Sequence, residues 1–192
     1  MLWLRRHVGK CGFICHQFHY PTVRNTLASN ALLLSQFVDA IDAETLHFVG
    51  HSLGGLVIRQ LFCDFPGQRP GRVVTLGTPH QGSEYARHLS RFAFWRWALG
   101  ASIDGGLLGE RLPAWRGTHD FGVIAGGRNV GTGLLLPALR EQGGDGVVGL
   151  AESHLAGETD YTVVRAVHTQ LLVSSRVHQQ ICRFLKSGHF LI

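Results

Sequence analysis

The sequence predicts an α/β fold in which a mostly parallel β-sheet carries helices on both faces. Short apolar runs typical of strands alternate along the chain with longer segments whose apolar residues recur at helical spacing. A glycine-rich turn at residues 50–55 joins one such strand directly to one such helix. The 192 residues, of which 45% are hydrophobic, fit one globular domain. We therefore treat residues 1–192 as a single domain.

The first 65 residues contain five predicted elements. Residues 1–10 have the pattern of an amphipathic helix, and residues 13–20 alternate as a strand that is closed by a proline. Apolar residues at helical spacing predict a helix over residues 22–41. A strand over residues 45–49 leads into the glycine-rich turn, and a helix over residues 53–65 follows it.

The rest of the chain contains three more predicted strands and a final helix. The strands cover residues 72–76, 121–125 and 161–167, and the helix covers residues 171–185. Long connections separate consecutive strands, which is the spacing that parallel pairing requires. These strands should therefore place their carboxyl ends at one edge of the sheet.

Residues 83–116 interrupt the alternation and are rich in aromatic residues and glycine. Two interpretations remain open for this segment. It forms a pair of ordinary core helices, or it forms a small helical cap whose aromatic face lines an acyl pocket. Under the second interpretation, Trp95 and Trp97 are pocket residues.

The turn Gly50-His51-Ser52-Leu53-Gly54-Gly55 has the Gly-x-Ser-x-Gly pattern of a nucleophile elbow. Such a turn exposes the serine hydroxyl at the carboxyl end of a strand, so Ser52 is the candidate nucleophile. The backbone N–H of Leu53 begins the following helix and is the candidate oxyanion donor. We expect His51 to point away from the working face of the serine and to support the site.

A serine nucleophile needs a base, and the base needs an orienting acid. His168 directly follows the strand 161–167 and is the candidate base, because catalytic groups gather at the carboxyl ends of parallel strands. Asp145, in the loop after the strand 121–125, is the candidate acid, and Glu152 in the same loop is the alternative. The other acids considered precede strands, fall in the segment 83–116, or end a helix: Asp64, Asp104, Asp120 and Asp160.

The remaining histidines do not predict a metal site. His80 follows a strand end and is a candidate for the wall of the substrate pocket. His16 and His19 lie on a predicted strand but are out of step for a shared face, so they are not a metal-binding pair. We predict neither a metal nor an organic cofactor.

The four cysteines, at positions 11, 15, 63 and 182, match no zinc-binding spacing. A disulfide between Cys11 and Cys15 is not expected, and we interpret all four residues as reduced thiols in a packed interior. No apolar run is long enough for a transmembrane helix, and no signal-peptide pattern is present. These observations predict a cytoplasmic protein.

The net charge of +5 comes almost entirely from scattered arginines. No basic stripe or nucleic-acid-binding motif is present, so we exclude a nucleic-acid partner. The charge allows weak contact with an anionic membrane surface. Nothing in the sequence indicates the oligomeric state.

The chain resembles the lipase- and esterase-type α/β-hydrolases, especially small ones related to triacylglycerol lipases and to glycosylphosphatidylinositol inositol-deacylase-like proteins. The order Ser52, Asp145, His168 is the order of the catalytic triad in that fold. The resemblance implies ester hydrolysis through a serine acyl-enzyme without a cofactor. It rests on four segments, at residues 49–56, 76–83, 144–148 and 167–169.

One part of the family pattern is missing. Such proteins carry an upstream strand ending in a His-Gly loop that supplies half of the oxyanion hole, whereas residues 1–10 already resemble the helix after that loop. The missing strand would lie between the strands 13–20 and 45–49 and leave unpaired backbone groups on both. Either the natural start lies upstream by roughly 15–20 residues, or the short chain is a degenerate hydrolase. Without that strand and loop, we expect these 192 residues to be less stable and a poorer catalyst than the family.

The predicted function is the hydrolysis of a carboxylic ester with an apolar acyl group. An acyltransferase or a thioesterase would use the same three residues and is an alternative. A second alternative is a catalytically impaired homologue that binds a lipid or a partner. A third is a peripheral membrane module held by arginines and by Trp95 and Trp97.

Overall fold

The computed structural model describes residues 2–91, 112, 114–130 and 143–191. The α-helices of these parts are α1 (Leu2–Gly9), α2 (Leu27–Asp39), α3 (Leu53–Asp64), α4 (Glu84–Leu89), α5 (Leu150–Ser153) and α6 (Ser175–Ser187). The strands are β1 (Phe48–His51), β2 (Val73–Leu76), β3 (Phe121–Gly126) and β4 (Asp160–Val164). A short 3₁₀ helix, η1 (His168–Leu172), precedes α6.

The four strands form one parallel sheet in the order β1-β2-β3-β4. Phe48 of β1 pairs with Val73 of β2, which in turn pairs with Phe121 of β3. Because all strands run the same way, the residues that follow β1, β2, β3 and β4 meet at one edge of the sheet. The predicted parallel arrangement is confirmed.

Helices cover both faces of the sheet. On one face, Phe48, Val73 and Phe121 pack against apolar residues of α2 and α3. On the other face, Val74 and Ile124 pack against α1 and α6. The alternation of side chains along each strand produces these two separate apolar cores.

Several helix boundaries differ from the predicted ones because local caps decide them. Helix α2 begins at Leu27 rather than at residue 22, since the Thr26 side chain accepts a hydrogen bond from Ser29 N at 3.2 Å. The predicted final helix is divided into η1 and α6, and Ser174 caps the start of α6. Gly188 ends α6 in a left-handed conformation, with φ of 80°.

The predicted strand over residues 13–20 is wrong. In the structure described, this segment makes no backbone–backbone hydrogen bond, and β1 pairs with β2 alone. The Phe13 ring lies 5.4 Å from that of His47, which precedes β1, and the Tyr20 hydroxyl lies near Gly54, which follows β1. The segment therefore runs alongside β1 in the same direction. It is not a strand because its backbone groups do not pair with those of β1 or of another described strand.

The prediction that all four cysteines are reduced thiols is also wrong. Cys11 and Cys182 form a disulfide that joins the end of α1 to α6 across 171 positions of sequence. The Cα atoms lie 6.1 Å apart because α1 and α6 pack on the same face of the sheet. Cys15 and Cys63 are free thiols, so the expectation that Cys11 does not pair with Cys15 holds.

The predicted cap over residues 83–116 is described only in part. Its beginning is α4, which Ser83 caps by accepting a hydrogen bond from Ala86 N at 3.1 Å. Residues 92–111 lie outside the described residues, and with them Trp95, Trp97 and Asp104. Within the described parts, no helix has the length and apolar character needed to cross a membrane.

Candidate active site

Ser52 lies in a sharp turn between β1 and α3. Its φ of 53° and ψ of −124° are strained for a residue with a side chain, and among the described residues it is the only non-glycine with positive φ. Ser52 N donates to Leu76 O at 2.9 Å, which holds the turn against the end of β2. A strained serine at a strand-to-helix turn is the geometry of a nucleophile elbow.

Two glycines make this turn sterically feasible. A Cβ atom on Gly50 would lie 2.7 Å from Gly55 N, and one on Gly55 would collide with Thr78 Oγ1. The Thr78 hydroxyl uses that space to donate to Ser52 O at 2.9 Å. The loop after β2 thus supports the nucleophile turn directly, a role that we did not assign to Thr78 from the sequence.

His168 and Asp145 form a buried pair at the same edge of the sheet. His168 Nδ1 lies 2.7 Å from Asp145 Oδ2, and His168 N donates to Asp145 O at 3.0 Å. The other carboxylate oxygen, Oδ1, accepts hydrogen bonds from Val147 N at 3.0 Å and Val148 N at 2.8 Å. The Asp145 carboxylate is 1% exposed, so it is held as an acceptor that orients Nδ1–H of the imidazole. This leaves Nε2 of His168 as the nitrogen that can act as a base.

Glu152, the alternative acid, has a different role. Its carboxylate accepts hydrogen bonds from Glu84 N at 2.6 Å and from Gly149 N at 2.8 Å. Burial is the main reason that the pKa of Glu152 is raised. Glu152 thus joins the start of α4 to the loop that carries Asp145, and it makes no described hydrogen bond to His168.

Gly77 allows the Asp145–His168 pair to approach the end of β2. Its φ is 51°, and a Cβ atom at this position would lie 2.8 Å from Asp145 Oδ2 and 3.1 Å from His168 Nδ1. The residue belongs to the Gly77-Thr78-Pro79-His80 segment, but the sequence alone did not indicate what it contacts. Only a residue without a side chain fits here.

His51 contacts His168 from the other side. Its Nε2 lies 3.1 Å from the His168 carbonyl oxygen, and the two ring centroids lie 4.6 Å apart. Burial is the main cause that lowers the pKa of His51 to about 4. His51 thus contacts the candidate base through both its Nε2 atom and its ring.

The Ser52 hydroxyl makes no hydrogen bond to His168 among the described residues. Leu53 is the first residue of α3, so its N–H has no partner within the helix and lies at the helix N-terminus. Catalytic hydrogen bonds are often long in a site without substrate and shorten when the substrate binds. The nucleophile turn at Ser52, the Asp145–His168 pair and the Leu53 N–H all lie at the same edge of the sheet.

His80 does not lie on an open pocket wall. It is 2% exposed, its Nε2 lies 2.9 Å from Thr75 Oγ1, and Arg59 Nη1 donates to its carbonyl oxygen at 2.7 Å. Burial, and secondarily the charge of Arg59, lower the pKa of His80 well below the ordinary value. His80 therefore stabilises the loop after β2 from the protein interior. Its burial does not support the expected role in the wall of the substrate pocket.

Arg59 is a residue near the site that the sequence alone did not indicate. It lies in the apolar helix α3 and is 5% exposed. A lone arginine on the buried face of an apolar helix is a signal that could have identified it, since buried charges are found with polar partners.

No group of three or more described His, Cys, Asp or Glu residues is arranged to hold a metal ion.

A cleft of about 430 Å³ lies at the opposite edge of the sheet, where the strands begin. Its lining includes His47, Arg72 and Asp120, and Arg72 Nε pairs with Asp120 Oδ2 at 2.9 Å. The cleft is separated from Ser52 by the length of the strands. It is therefore not the substrate site of the candidate triad.

No protein-family profile matches the chain, and no curated protein is significantly similar to it. Solved structures are similar. The mature form of the Bacillus licheniformis lipase BlEst2 is 18% identical with a TM-score of 0.69, over 88% of this chain and 76% of the lipase. The phospholipase PlaB from Legionella pneumophila, in complex with thio-NAD, is 18% identical with a TM-score of 0.59, over 80% of this chain and 39% of PlaB.

The carboxylesterase CesB (YbfK) from Bacillus subtilis is 15% identical with a TM-score of 0.51, over 88% of this chain and 69% of CesB. This chain thus spans about two fifths of the length of PlaB and larger shares of the other two proteins. At such identities the likeness is one of fold, and it confirms the expected α/β-hydrolase fold.

Proposed function

We propose that this chain, which has the α/β-hydrolase fold, is a serine hydrolase that cleaves carboxylic esters with Ser52, His168 and Asp145 as its triad. The observation that carries the proposal is the hydrogen bond of 2.7 Å between His168 Nδ1 and the buried Asp145 Oδ2. It lies at the sheet edge where Ser52 occupies its strained turn. The lipase and esterase structures of the same fold support a hydrolase in general and a small ester or lipid as the substrate.

In the first step, Ser52 Oγ attacks the ester carbonyl carbon while His168 Nε2 takes the hydroxyl proton. The Asp145 carboxylate accepts a hydrogen bond from Nδ1–H and stabilises the imidazolium that forms. The carbonyl oxygen becomes an oxyanion and accepts a hydrogen bond from Leu53 N–H at the start of α3. The positive end of the α3 dipole adds to that stabilisation.

In the second step, the tetrahedral intermediate expels the alcohol, which takes the proton from His168 Nε2. The acyl group remains bonded to Ser52 Oγ. Water then attacks the acyl-enzyme while His168 takes its proton, and the acid is released with Ser52 restored. An alcohol or a thiol in place of water would make the same site an acyltransferase.

A second candidate function is that of a catalytically impaired homologue that binds a lipid or a partner. It is favoured by the absence of a described hydrogen bond between the Ser52 hydroxyl and His168. It is also favoured by the open side of β1, where no described strand lies next to the nucleophile turn. Loss of one oxyanion donor lowers kcat about 10²–10³-fold in a hydrolase.

The test is intact-mass spectrometry after incubation with a fluorophosphonate, which bonds to an activated serine oxygen with loss of fluoride. We expect one adduct on the parent chain and none on Ser52→Ala. Asp145→Asn should lower the labelling rate about 10³–10⁴-fold, because the imidazole then loses its correct tautomer. Glu152→Gln is the matched control, since its carboxylate contacts backbone N–H groups rather than His168.

The control should fold and label at a rate close to that of the parent. Absence of an adduct on a folded parent chain would favour the impaired homologue. A Glu152→Gln defect as large as that of Asp145→Asn would contradict the assignment of the acid. Turnover of acyl esters in the presence of an added alcohol or thiol then separates hydrolysis from acyl transfer.

A further inference from the structure

We infer that His51 is the positioning residue for His168, holding the backbone of the proposed base through its carbonyl oxygen and packing against its imidazole. The inference rests on the proposed function, because it concerns the base of that triad. His51 Nε2 lies 3.1 Å from His168 O, and the ring planes are inclined by 45° with centroids 4.6 Å apart. The two residues are 117 positions apart in sequence.

The direction of this hydrogen bond fixes the tautomer of His51. A carbonyl oxygen can only accept, so Nε2 of His51 carries the proton and Nδ1 is bare in the neutral ring. The ring stays neutral in the physiological range, because burial lowers its pKa to about 4. The charged groups that act on it are His168 and the N-terminal amino group, which lower the pKa, and Asp145, which raises it.

Neutrality matters to the neighbouring imidazole. During the proposed reaction His168 becomes an imidazolium, and a cation beside it would oppose that protonation. A neutral ring packed at 4.6 Å adds no such repulsion. His51 can therefore fix the position of His168 without opposing its protonation.

His51 also joins the two halves of the site. It ends β1 and directly precedes Ser52, whereas His168 begins η1 after β4. Toward β3, His168 is held by Asp145 through both N–H and Nδ1. The bond from His51 holds His168 from the side of the nucleophile, so it sets how far Nε2 lies from the serine turn.

Two substitutions separate the hydrogen bond from the ring contact. His51→Gln keeps an N–H donor of similar reach, whereas His51→Phe keeps an aromatic ring but has no donor. His51→Asn carries a donor that is too short to reach the carbonyl, and it serves if the phenylalanine variant does not fold. His16→Phe is the matched control, because His16 is an exposed histidine of the segment beside β1.

The first measurement is the rate of fluorophosphonate labelling of Ser52 together with KM for a soluble ester. We expect His51→Phe and His51→Asn to lower labelling and kcat about 10- to 100-fold with little change in KM, because a small displacement of a catalytic group has effects of this size. His51→Gln should stay within about fivefold of the parent, because it keeps a donor for the His168 carbonyl and loses only the contact between the two rings. His16→Phe should not differ from the parent.

The second measurement does not depend on activity. The proton between His168 Nδ1 and the Asp145 carboxylate should give a low-field proton NMR signal, assigned by its loss in Asp145→Asn. We expect the signal in the parent, His51→Gln and His16→Phe, and its loss or broadening in His51→Phe and His51→Asn. A folded His51→Phe or His51→Asn variant that keeps the signal would overturn the inference, and so would absence of the signal from the parent.

The two measurements distinguish the inference from the proposed function. If Ser52 is not labelled in the parent while the signal responds to His51 as expected, the hydrolase proposal fails and the positioning role stands. If Ser52 is labelled at the same rate in the parent and in His51→Phe, the positioning role fails and the hydrolase proposal stands.

Discussion

At the scale of single residues, the site depends on where side chains are absent as much as on where they are present. Gly77 has a φ of 51°, and its Cα faces both members of the Asp145–His168 pair. Gly126, at the end of β3, is similar: a Cβ there would lie 2.5 Å from Asp145 Cβ. The loop and strand ends can therefore close around the pair only because these positions are glycine.

We predict that Gly77→Ala lowers the fluorophosphonate labelling rate at least tenfold and the free energy of unfolding by about 1–3 kcal/mol. The added methyl group would clash with Asp145 Oδ2, and the backbone of the new alanine would have to adopt a positive φ. Gly67→Ala is the control, because a Cβ there meets nothing within 4 Å and its φ is not positive. Parent-like labelling and stability of Gly77→Ala would show that the loop accommodates a side chain and that the described approach is wrong.

At the scale of elements, the chain ends of this fold are tied together. The disulfide Cys11–Cys182 joins α1 to α6, and both helices pack on the same face of the sheet through residues such as Leu4, Val8 and Ile181. A bond that closes so long a loop restricts the unfolded chain strongly. The cytoplasmic location expected from the sequence stays a prediction.

We predict that Cys11→Ser lowers the free energy of unfolding by about 2–5 kcal/mol, as measured by urea denaturation under non-reducing conditions. Dithiothreitol should lower the stability of the parent by a similar amount and leave that of Cys11→Ser unchanged. Cys63→Ser is the control, since Cys63 is an exposed free thiol. A parent whose denaturation curve does not respond to reductant, or whose mass shows four free thiols, would contradict the described bond.

Among the described residues, strand β1 has a neighbouring strand on one side only. β1 lies at the edge of the sheet, and residues 13–20 run beside it without a backbone hydrogen bond. Edge strands with open N–H and C=O groups invite pairing with other chains. The nucleophile turn therefore follows an edge strand of the described sheet.

At the scale of the whole molecule, buried histidines link stability to pH. The pKa values of His51, His80, His47 and His178 are all lowered, mainly by burial. A base with a lowered pKa in the folded state binds a proton more readily when the chain unfolds. Its contribution to stability is complete above the unfolded value of about 6.5 and is lost as the pH falls below it.

We predict that the free energy of unfolding decreases between pH 7 and pH 5, by up to about 1.4 kcal/mol per pH unit for each proton taken up on unfolding. Most of the effect should come from His51 and His80, because their pKa values are lowered the furthest. Glu152, with a raised pKa, acts in the opposite direction only above its unfolded value of about 4.5. Urea denaturation at several pH values measures the slope.

His80→Gln should reduce that slope, although it also costs stability because of the contacts with Thr75 and Arg59. Substitution of the exposed His16 by glutamine should leave the slope unchanged. A stability that is constant or increases from pH 7 to pH 5 would show that the buried histidines titrate alike in the folded and unfolded chains.

The sequence by itself determined the local features of this protein: the alternation of strands and helices, the turn at Ser52, and the order Ser52, Asp145, His168. These follow from side-chain periodicity and from glycine at a turn, which are properties of neighbours along the chain. Only the tertiary structure decided three features: the Cys11–Cys182 bond, the absence of the strand predicted at residues 13–20, and the contact of His51 with His168. Each of these depends on which distant residues meet in space, and a strand forms only where a partner strand satisfies its backbone groups.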